Sequence, residues 1–217
     1  MKLLGWCFNL LYHPLAWSYD LVAALVSCGQ WQRWISCALP YLTGPRILEL
    51  GYGPGHLQKA LAQIELQAPP YKLQVFGLDA SRQMSRLATR RLRRAGLPAR
   101  LVIGYAKMAC FPSGNFEQVV ATFPSNYILE PACLAEIWRL LGPGGRLVVI
   151  PAAWGAGRKP CQRFLVGGLR LIGWGRPAQP IAWLAPFQQA GFSVESQIFD
   201  LPDSQVLLIL ADKPGEL

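Results

Sequence analysis

The chain has 217 residues, 52% hydrophobic and 15% charged, with a mean hydropathy of +0.24. That leaves room for one α/β domain or two small ones, is too apolar for a disordered chain, and includes no apolar run long enough to be an evident transmembrane helix. Lys and Arg total 21 against 12 Asp and Glu, a net charge of +9, which points to an anionic partner, either a membrane surface or a nucleic acid.

Residues 1–45 read as a helical cap. Between Lys2 and Arg33 the only formal charge is Asp20. The first apolar run meets His13-Pro14 and no small-residue cleavage site follows, so a secretory signal is not expected. Pro14 and Asp20 also interrupt any single span of about twenty apolar residues. Three readings stand: a buried cap on the main domain, an amphipathic helix lying in a membrane interface, and a true span. Trp6, Trp17, Trp31 and Trp34, with Tyr12 and Tyr19, favour the interface.

From residue 46 strands alternate with helices. Apolar runs predict strands at 46–50, 73–78, 100–103, 117–123 and 146–150, and helical spacing predicts helices at 56–66, 82–95 and 130–141. A further helix is expected at 182–190, then two strands at 192–199 and 205–210. The alternation implies βαβ units and a mostly parallel sheet. The final pair is joined too briefly for a parallel crossover and must be antiparallel. Cysteines 7, 28, 37, 110, 133 and 161 show no C-x-x-C pair and no His at ligand spacing. No metal site is therefore expected, and reduced thiols in a cytoplasmic chain are the default.

The stretch Glu49-Leu50-Gly51-Tyr52-Gly53-Pro54-Gly55 follows the first strand and opens a helix. In open α/β sheets ligands sit at such carboxyl ends, and glycines let the backbone take φ > 0 and approach a ligand. A dinucleotide turn would place its last glycine where His56 stands, and the G-K-[ST] of a phosphate loop is absent. From these residues alone a purely structural glycine turn in another α/β enzyme also fits. Val75-Phe76-Gly77-Leu78-Asp79 then puts a carboxylate at the end of the second strand. There it can accept both ribose hydroxyls of a nucleoside, or cap the following helix together with Ser81.

The pattern E-x-G-x-G-x-G at this position resembles the class I S-adenosylmethionine-dependent methyltransferases. The resemblance continues through Glu117-Gln118-Val119-Val120-Ala121-Thr122 and through the run from Glu136-Ile137-Trp138-Arg139 to Gly142-Pro143-Gly144-Gly145-Arg146-Leu147. It covers about residues 46–151. It implies a Rossmann-like α/β fold: a seven-stranded, mostly parallel sheet with helices on both faces, an antiparallel last strand and the N-terminal helical cap. It also implies S-adenosyl-L-methionine as cofactor, with contacts from Glu49, Gly51, Tyr52, Gly53, Gly55, Asp79, Ala80, Tyr105, Ala106 and Thr122. Gly104-Tyr105-Ala106 departs from the family's common G-D-A, so the Asp facing the adenine amino group is replaced by a ring that could flank the purine. Thr122-Phe123-Pro124-Ser125-Asn126-Tyr127 is not the N-P-P-[YF] of amino-group methyltransferases, which argues against a nucleic-acid substrate.

Leu15-Ala16-Trp17-Ser18-Tyr19-Asp20-Leu21, followed by Leu25-Val26-Ser27-Cys28-Gly29 and Arg33-Trp34, is similar to the start of the menaquinone/ubiquinone biosynthesis methyltransferases. By that likeness Tyr19 closes over the methionine end of the cofactor. An acceptor that must lose a proton needs a base, and the candidates are His13, Asp20 and Glu130; His56 reads as structural.

Charge placement adds a second clue. Between Asp79 and Glu117 there is no acid, and Arg82, Arg86, Arg90 and Arg93/Arg94 share one helical face. A basic, apolar, Gly-containing insertion at 152–180 lies where methyltransferases build an acceptor lid. A solubilising Arg surface over a buried lid is the plain alternative. The expected protein is a methyltransferase acting on a small or lipidic, quinone-like apolar acceptor. It is cytoplasmic, and peripheral at the inner face of an anionic membrane where the interfacial reading of the cap holds. A non-catalytic binding module on the same fold is the alternative.

Overall fold

The central strands are buried almost throughout, and successive side chains go to opposite faces of the sheet, which sets the architecture. The computed structural model describes residues 23–24, 27–68, 73–155 and 183–215. Strand β1 (Arg46–Leu50) sends Ile47 to one core and Leu48 and Leu50 to the other. Strand β4 (Phe116–Thr122) divides Val120 from Val119 and Ala121 in the same way. Strand β5 (Leu141–Gly155) divides Val148 and Ile150 from Leu147 and Val149. Both faces are thus covered, as parallel strands require.

With β2 (Gln74–Asp79), β3 (Leu101–Ile103), β6 (Ser193–Leu201) and β7 (Ser204–Asp212), the sheet runs in the order β3-β2-β1-β4-β5-β7-β6. The pairs β3–β2, β2–β1, β1–β4 and β4–β5 are parallel. β7 is antiparallel to both β5 and β6. The expected seven strands and antiparallel last strand are therefore present. The strand order reverses between β1 and β4, which puts a switch point at the carboxyl end of β1.

Helix α1 (Trp31–Ser36) covers the face that holds Ile47, through Trp34 and Ile35. The Trp34 indole donates to Ser204 Oγ at 2.8 Å, and that hydroxyl donates to Gln30 Oε1 at 2.6 Å, which ties the cap side to the start of β7. Helix α2 (His56–Gln67) packs Leu57 and Leu61 onto the same face. Helix α3 (Arg82–Arg94) buries Met84, Ala88 and Leu92, spaced one turn apart. Helix α4 (Pro131–Leu140) covers the opposite face with Cys133, Leu134, Ile137 and Leu140. Short helix α5 (Ala185–Gln189) precedes β6 and buries Phe187 there.

The structure corrects the bounds of two elements. β5 begins at Leu141 rather than Arg146, pairing Leu141 with Phe116 before a register shift to Arg146, and it does not end at residue 150. A register shift between Val149 and Ala152 accommodates Pro151, which has no N–H for a ladder, and the strand then continues against β7 to Gly155. Residues 152–155, expected to open the insertion, are therefore strand; residues 156–182 lie outside the described residues, as do 1–22 of the cap. The last helix is shorter than expected, beginning at Ala185 behind the turn at Trp183 and Leu184. Among the described residues no helix is long and apolar enough to cross a membrane.

Candidate active site

Parallel pairing brings the carboxyl ends of β3, β2, β1 and β4 side by side. Glu49 is level with Gly77 on one side and Val120 on the other, and Asp79 is level with Ile103. The chain leaves β1 through Gly51, Gly53 and Gly55, with φ of 68°, 51° and 82°, a region that L side chains adopt only at a cost.

The three glycines are not equivalent. A Cβ on Gly51 would lie 2.8 Å from Tyr127 Oη, and that hydroxyl donates to Leu50 O at 3.3 Å. A Cβ on Gly55 would lie 2.8 Å from Ala88 Cβ, so this glycine permits close contact between α2 and α3. At Gly53 no described residue has an atom within 4 Å of such a Cβ. At Gly51 and Gly55 protein packing leaves no room for a Cβ, whereas at Gly53, itself buried, no described residue stands in its way.

Asp79 is buried and holds the loop in place. Its Oδ2 accepts from the Gly53 N–H at 2.8 Å and its Oδ1 from the Ser81 N–H at 2.7 Å. Ser81, in turn, caps α3 by accepting from the Met84 N–H at 3.3 Å. The cap is therefore Ser81, and Asp79 supports it from the glycine loop by accepting from the capping residue's N–H. Burial raises the Asp79 carboxyl above its ordinary range, against the pull of its two backbone donors. Arg91 ties α3 to the loop by donating to Pro54 O.

Glu49 lies beneath the loop, 1% exposed. Desolvation pushes its carboxyl up to about 8, Gln58 hydrogen bonds oppose this, and the Asp79 charge adds to it. Its Oε2 has no hydrogen-bond partner among the described residues. An orphaned buried carboxyl oxygen under a glycine loop is a group that a hydrogen-bond donor or cation bound at the loop would complete.

This carboxyl has a pH signature. Its folded value lies above its ordinary 4.5, so the folded chain retains a proton that the unfolded chain has lost. The associated stability is present below that ordinary value and is lost as pH rises through about 8. Glu49→Gln stays neutral throughout. Between pH 5 and pH 9 the Tm of the variant should gain on that of the parent by at least about 2–4 °C, one kcal/mol for a chain of this size. Parallel Tm–pH curves would show that Glu49 titrates normally.

The remaining expected residues fall as follows. Tyr52 is buried at 3%, its ring against Gly77, so only its backbone borders the cleft. Ala80 is exposed beside Asp79. Tyr105 is 65% exposed, and Ala106 begins a short 3-10 helix after β3. Thr122 is half-buried at the end of β4. Glu130 is exposed at the N-terminus of α4. His56 Nδ1 accepts from Gln32 Nε2, 2.6 Å away, and so joins α2 to the cap. His13, Tyr19 and Asp20 lie outside the described residues.

Two residues at this edge were not singled out from the sequence. Tyr127 closes the loop over Gly51. Phe123 takes a φ of 49° directly after β4 and stacks 4.6 Å from the Trp31 ring and 6.0 Å from Trp34. A bulky residue at positive φ is strained backbone, which persists only where its surroundings hold it. Here they are its N–H donated to Ile150 O at 2.7 Å and the two indoles. The result is an aromatic wall beside the glycine loop's edge of the sheet.

Residues 47–145 match the family described as a methyltransferase domain. Over this stretch the chain is similar to that family. Demethylmenaquinone methyltransferase of Symbiobacterium thermophilum is 31% identical over 163 residues, covering 71% of this chain and 61% of that protein. The chain spans about three fifths of the length of the first curated relatives it matches. A Methanococcus maripaludis protein assigned as an S-adenosyl-L-methionine-dependent methyltransferase superposes with a TM-score of 0.65 at 18% identity, covering 93% of each chain. The cyclase SpnF superposes with a TM-score of 0.60 at 18% identity, covering 85% of this chain and 80% of that one. At such identities the likeness establishes the fold, so the domain's chemistry rests on its site.

Proposed function

We propose that this chain binds S-adenosyl-L-methionine at the carboxyl ends of β1, β2 and β4 and transfers its methyl group to a small or lipidic apolar acceptor. One observation supports this most directly: a Cβ at Gly51 or Gly55 would collide with Tyr127 or Ala88, whereas at Gly53, bonded to buried Asp79, no described residue lies within 4 Å of one. The cofactor supplies a sulfonium methyl group suited to in-line displacement. Asp79 accepts hydrogen bonds from the ribose diol, and Glu49 offers its unpartnered Oε2 beneath the loop. Tyr105 and Ala106 flank the adenine, and Thr122 borders the cleft at the end of β4. Tyr19 covers the methionine end. The protein's contribution is orientation and exclusion of water.

The acceptor provides the nucleophile, and His13, Asp20 and Glu130 remain the candidate bases. An apolar acceptor is supported by Phe123 with Trp31 and Trp34 on the cap side. The printed name of the Symbiobacterium relative adds a quinone precursor as the first compound to test. A lipidic acceptor in turn favours peripheral association with a membrane.

Calorimetry with S-adenosylhomocysteine, followed by labelled methyl transfer from S-adenosylmethionine to a demethylated quinone and to a lipid extract, tests the reading. Binding and transfer to an apolar product are expected. A second reading, a non-catalytic binding module that keeps the fold and has lost cofactor affinity, is favoured by Tyr105 in place of the family's Asp. No binding of S-adenosylhomocysteine selects it, and binding without transfer to any apolar acceptor defeats the acceptor class.

A further inference from the structure

Helix α3 carries a charge that the cofactor cleft does not use. Its inner side is Met84, Ala88 and Leu92; Arg82, Arg86, Arg90, Arg93 and Arg94 are all exposed on its outer side. With Ile103 of the edge strand β3, these five line one open groove of about 810 Å³. No Asp or Glu occurs from residue 80 to 116, and among the described residues none of the five has a carboxylate partner. Arginines one turn apart repel each other by a few tenths of a kcal/mol per pair in the free protein, which an anionic occupant would reverse. From Arg82 to Arg94 the row extends about 18 Å at 1.5 Å per residue, too long for a single phosphate to engage.

A second observation selects the occupant. Large hydrophobic side chains exposed among the described residues are Ile64, Leu66, Ile103, Tyr105 and Met108, and three of them fall between 103 and 108. Ile103 is 51% exposed and Met108 79%, with Lys107 between Tyr105 and Met108. Bare Ile and Met beside a row of guanidinium groups suit the boundary between headgroups and acyl chains. An acidic protein or a nucleic acid would leave those aliphatic side chains in water.

We propose that the α3 groove and the 103–108 segment form the docking face for an anionic lipid bilayer. The arginines meet headgroup phosphates, and Ile103 and Met108 enter the interfacial layer. Asp79 lies three residues before α3, and the Gly104 N–H donates to Asp79 O at 3.0 Å, so this face borders the cofactor cleft. Docking brings the mouth of the cleft to the layer in which an apolar acceptor dissolves. The purpose given to the face rests on the proposed acceptor class; its geometry does not.

The test is flotation of the full chain with vesicles of phosphatidylcholine alone and of phosphatidylcholine mixed with phosphatidylglycerol. Calorimetry with S-adenosylhomocysteine is run in parallel. The parent should bind the mixed vesicles more tightly, and salt should shrink the difference. Arg86→Glu/Arg90→Glu should weaken binding to mixed vesicles at least about tenfold, since each basic residue at an anionic surface contributes about 1 kcal/mol. Its affinity for S-adenosylhomocysteine should be unchanged. Ile103→Ser/Met108→Ser should reduce the binding that survives high salt. If the Glu pair also loses S-adenosylhomocysteine, Arg86→Gln/Arg90→Gln, which only removes charge, decides by the same readout.

The proposal is overturned if the charge-reversed chain floats as well as the parent, which would put docking elsewhere, such as residues 1–22. It is equally overturned if the parent ignores vesicles, whether or not it binds a single-stranded nucleic acid through these arginines. Docking without any affinity for S-adenosylhomocysteine would defeat the proposed function and leave the docking face standing.

Discussion

Gly53→Val should abolish measurable binding of S-adenosylhomocysteine and leave the chain folded. No described residue has an atom within 4 Å of a Cβ at this position, so the first added carbon meets none of them and the branches beyond it enter the space proposed for the cofactor. The folded state bears the backbone cost alone: about 1–2 kcal/mol for an L residue at positive φ, and more for a β-branched one. The Gly53 N–H stays bonded to Asp79. Gly55→Ala should do the reverse. Its Cβ would sit 2.8 Å from Ala88 Cβ and 3.1 Å from Ala88 Cα, and that helix backbone has little freedom to retreat. Overpacking of about 1–3 kcal/mol adds to the same φ cost. Tm should fall further than in the Gly53 variant, while affinity measured on the folded fraction is largely kept. Calorimetry and thermal unfolding on the two variants separate a ligand position from a packing position. Unchanged affinity in Gly53→Val would sink the assignment of the cleft.

Such a contrast between two glycines of one motif marks where the sequence stops being legible. Local signals, namely apolar runs, helical spacing and Gly–Pro punctuation, place every strand within a few residues. The extension of β5 is missed because Pro151 looks like a stop; only the pairing with β7, more than fifty residues later in the chain, lets a bulge carry the strand past it. The Gly51–Gly53–Gly55 motif and Asp79 stand out in the sequence because their spacing is local. Which glycine is open is set by Tyr127 and Ala88, neighbours that only the fold brings to the loop. Phe123 gives no local sign of its positive φ, which is imposed by Ile150 O and by the rings of Trp31 and Trp34. The bare arginine face of α3 was readable, because i, i+4 spacing survives without tertiary information. That it shares a groove with Ile103 was not, since this depends on β3 closing the sheet edge beside it.

Asp79→Ala should weaken S-adenosylhomocysteine binding by about 1.5–3 kcal/mol, roughly ten- to 150-fold, the range for hydrogen bonds to a charged acceptor. Affinity alone will not show why. Asp79 already accepts from the Gly53 and Ser81 N–H groups. Its loss orphans two donors on buried residues, at about 1–3 kcal/mol each where water cannot replace the carboxylate. The loop can therefore loosen, and binding can fall, with no contact between Asp79 and a ribose. A double cycle with a 2′-deoxy analogue separates the two routes. If the carboxylate holds the diol, the parent should discriminate strongly against the deoxy ligand, and Asp79→Ala should bind both ligands about equally weakly. If Asp79 acts only through the loop, both ligands should weaken by the same factor and the parent's discrimination should survive in the variant. A lower Tm accompanies either result and does not decide between them. Full retention of the deoxy penalty in Asp79→Ala would move the ribose contact to another residue and leave Asp79 as the strut between the glycine loop and α3.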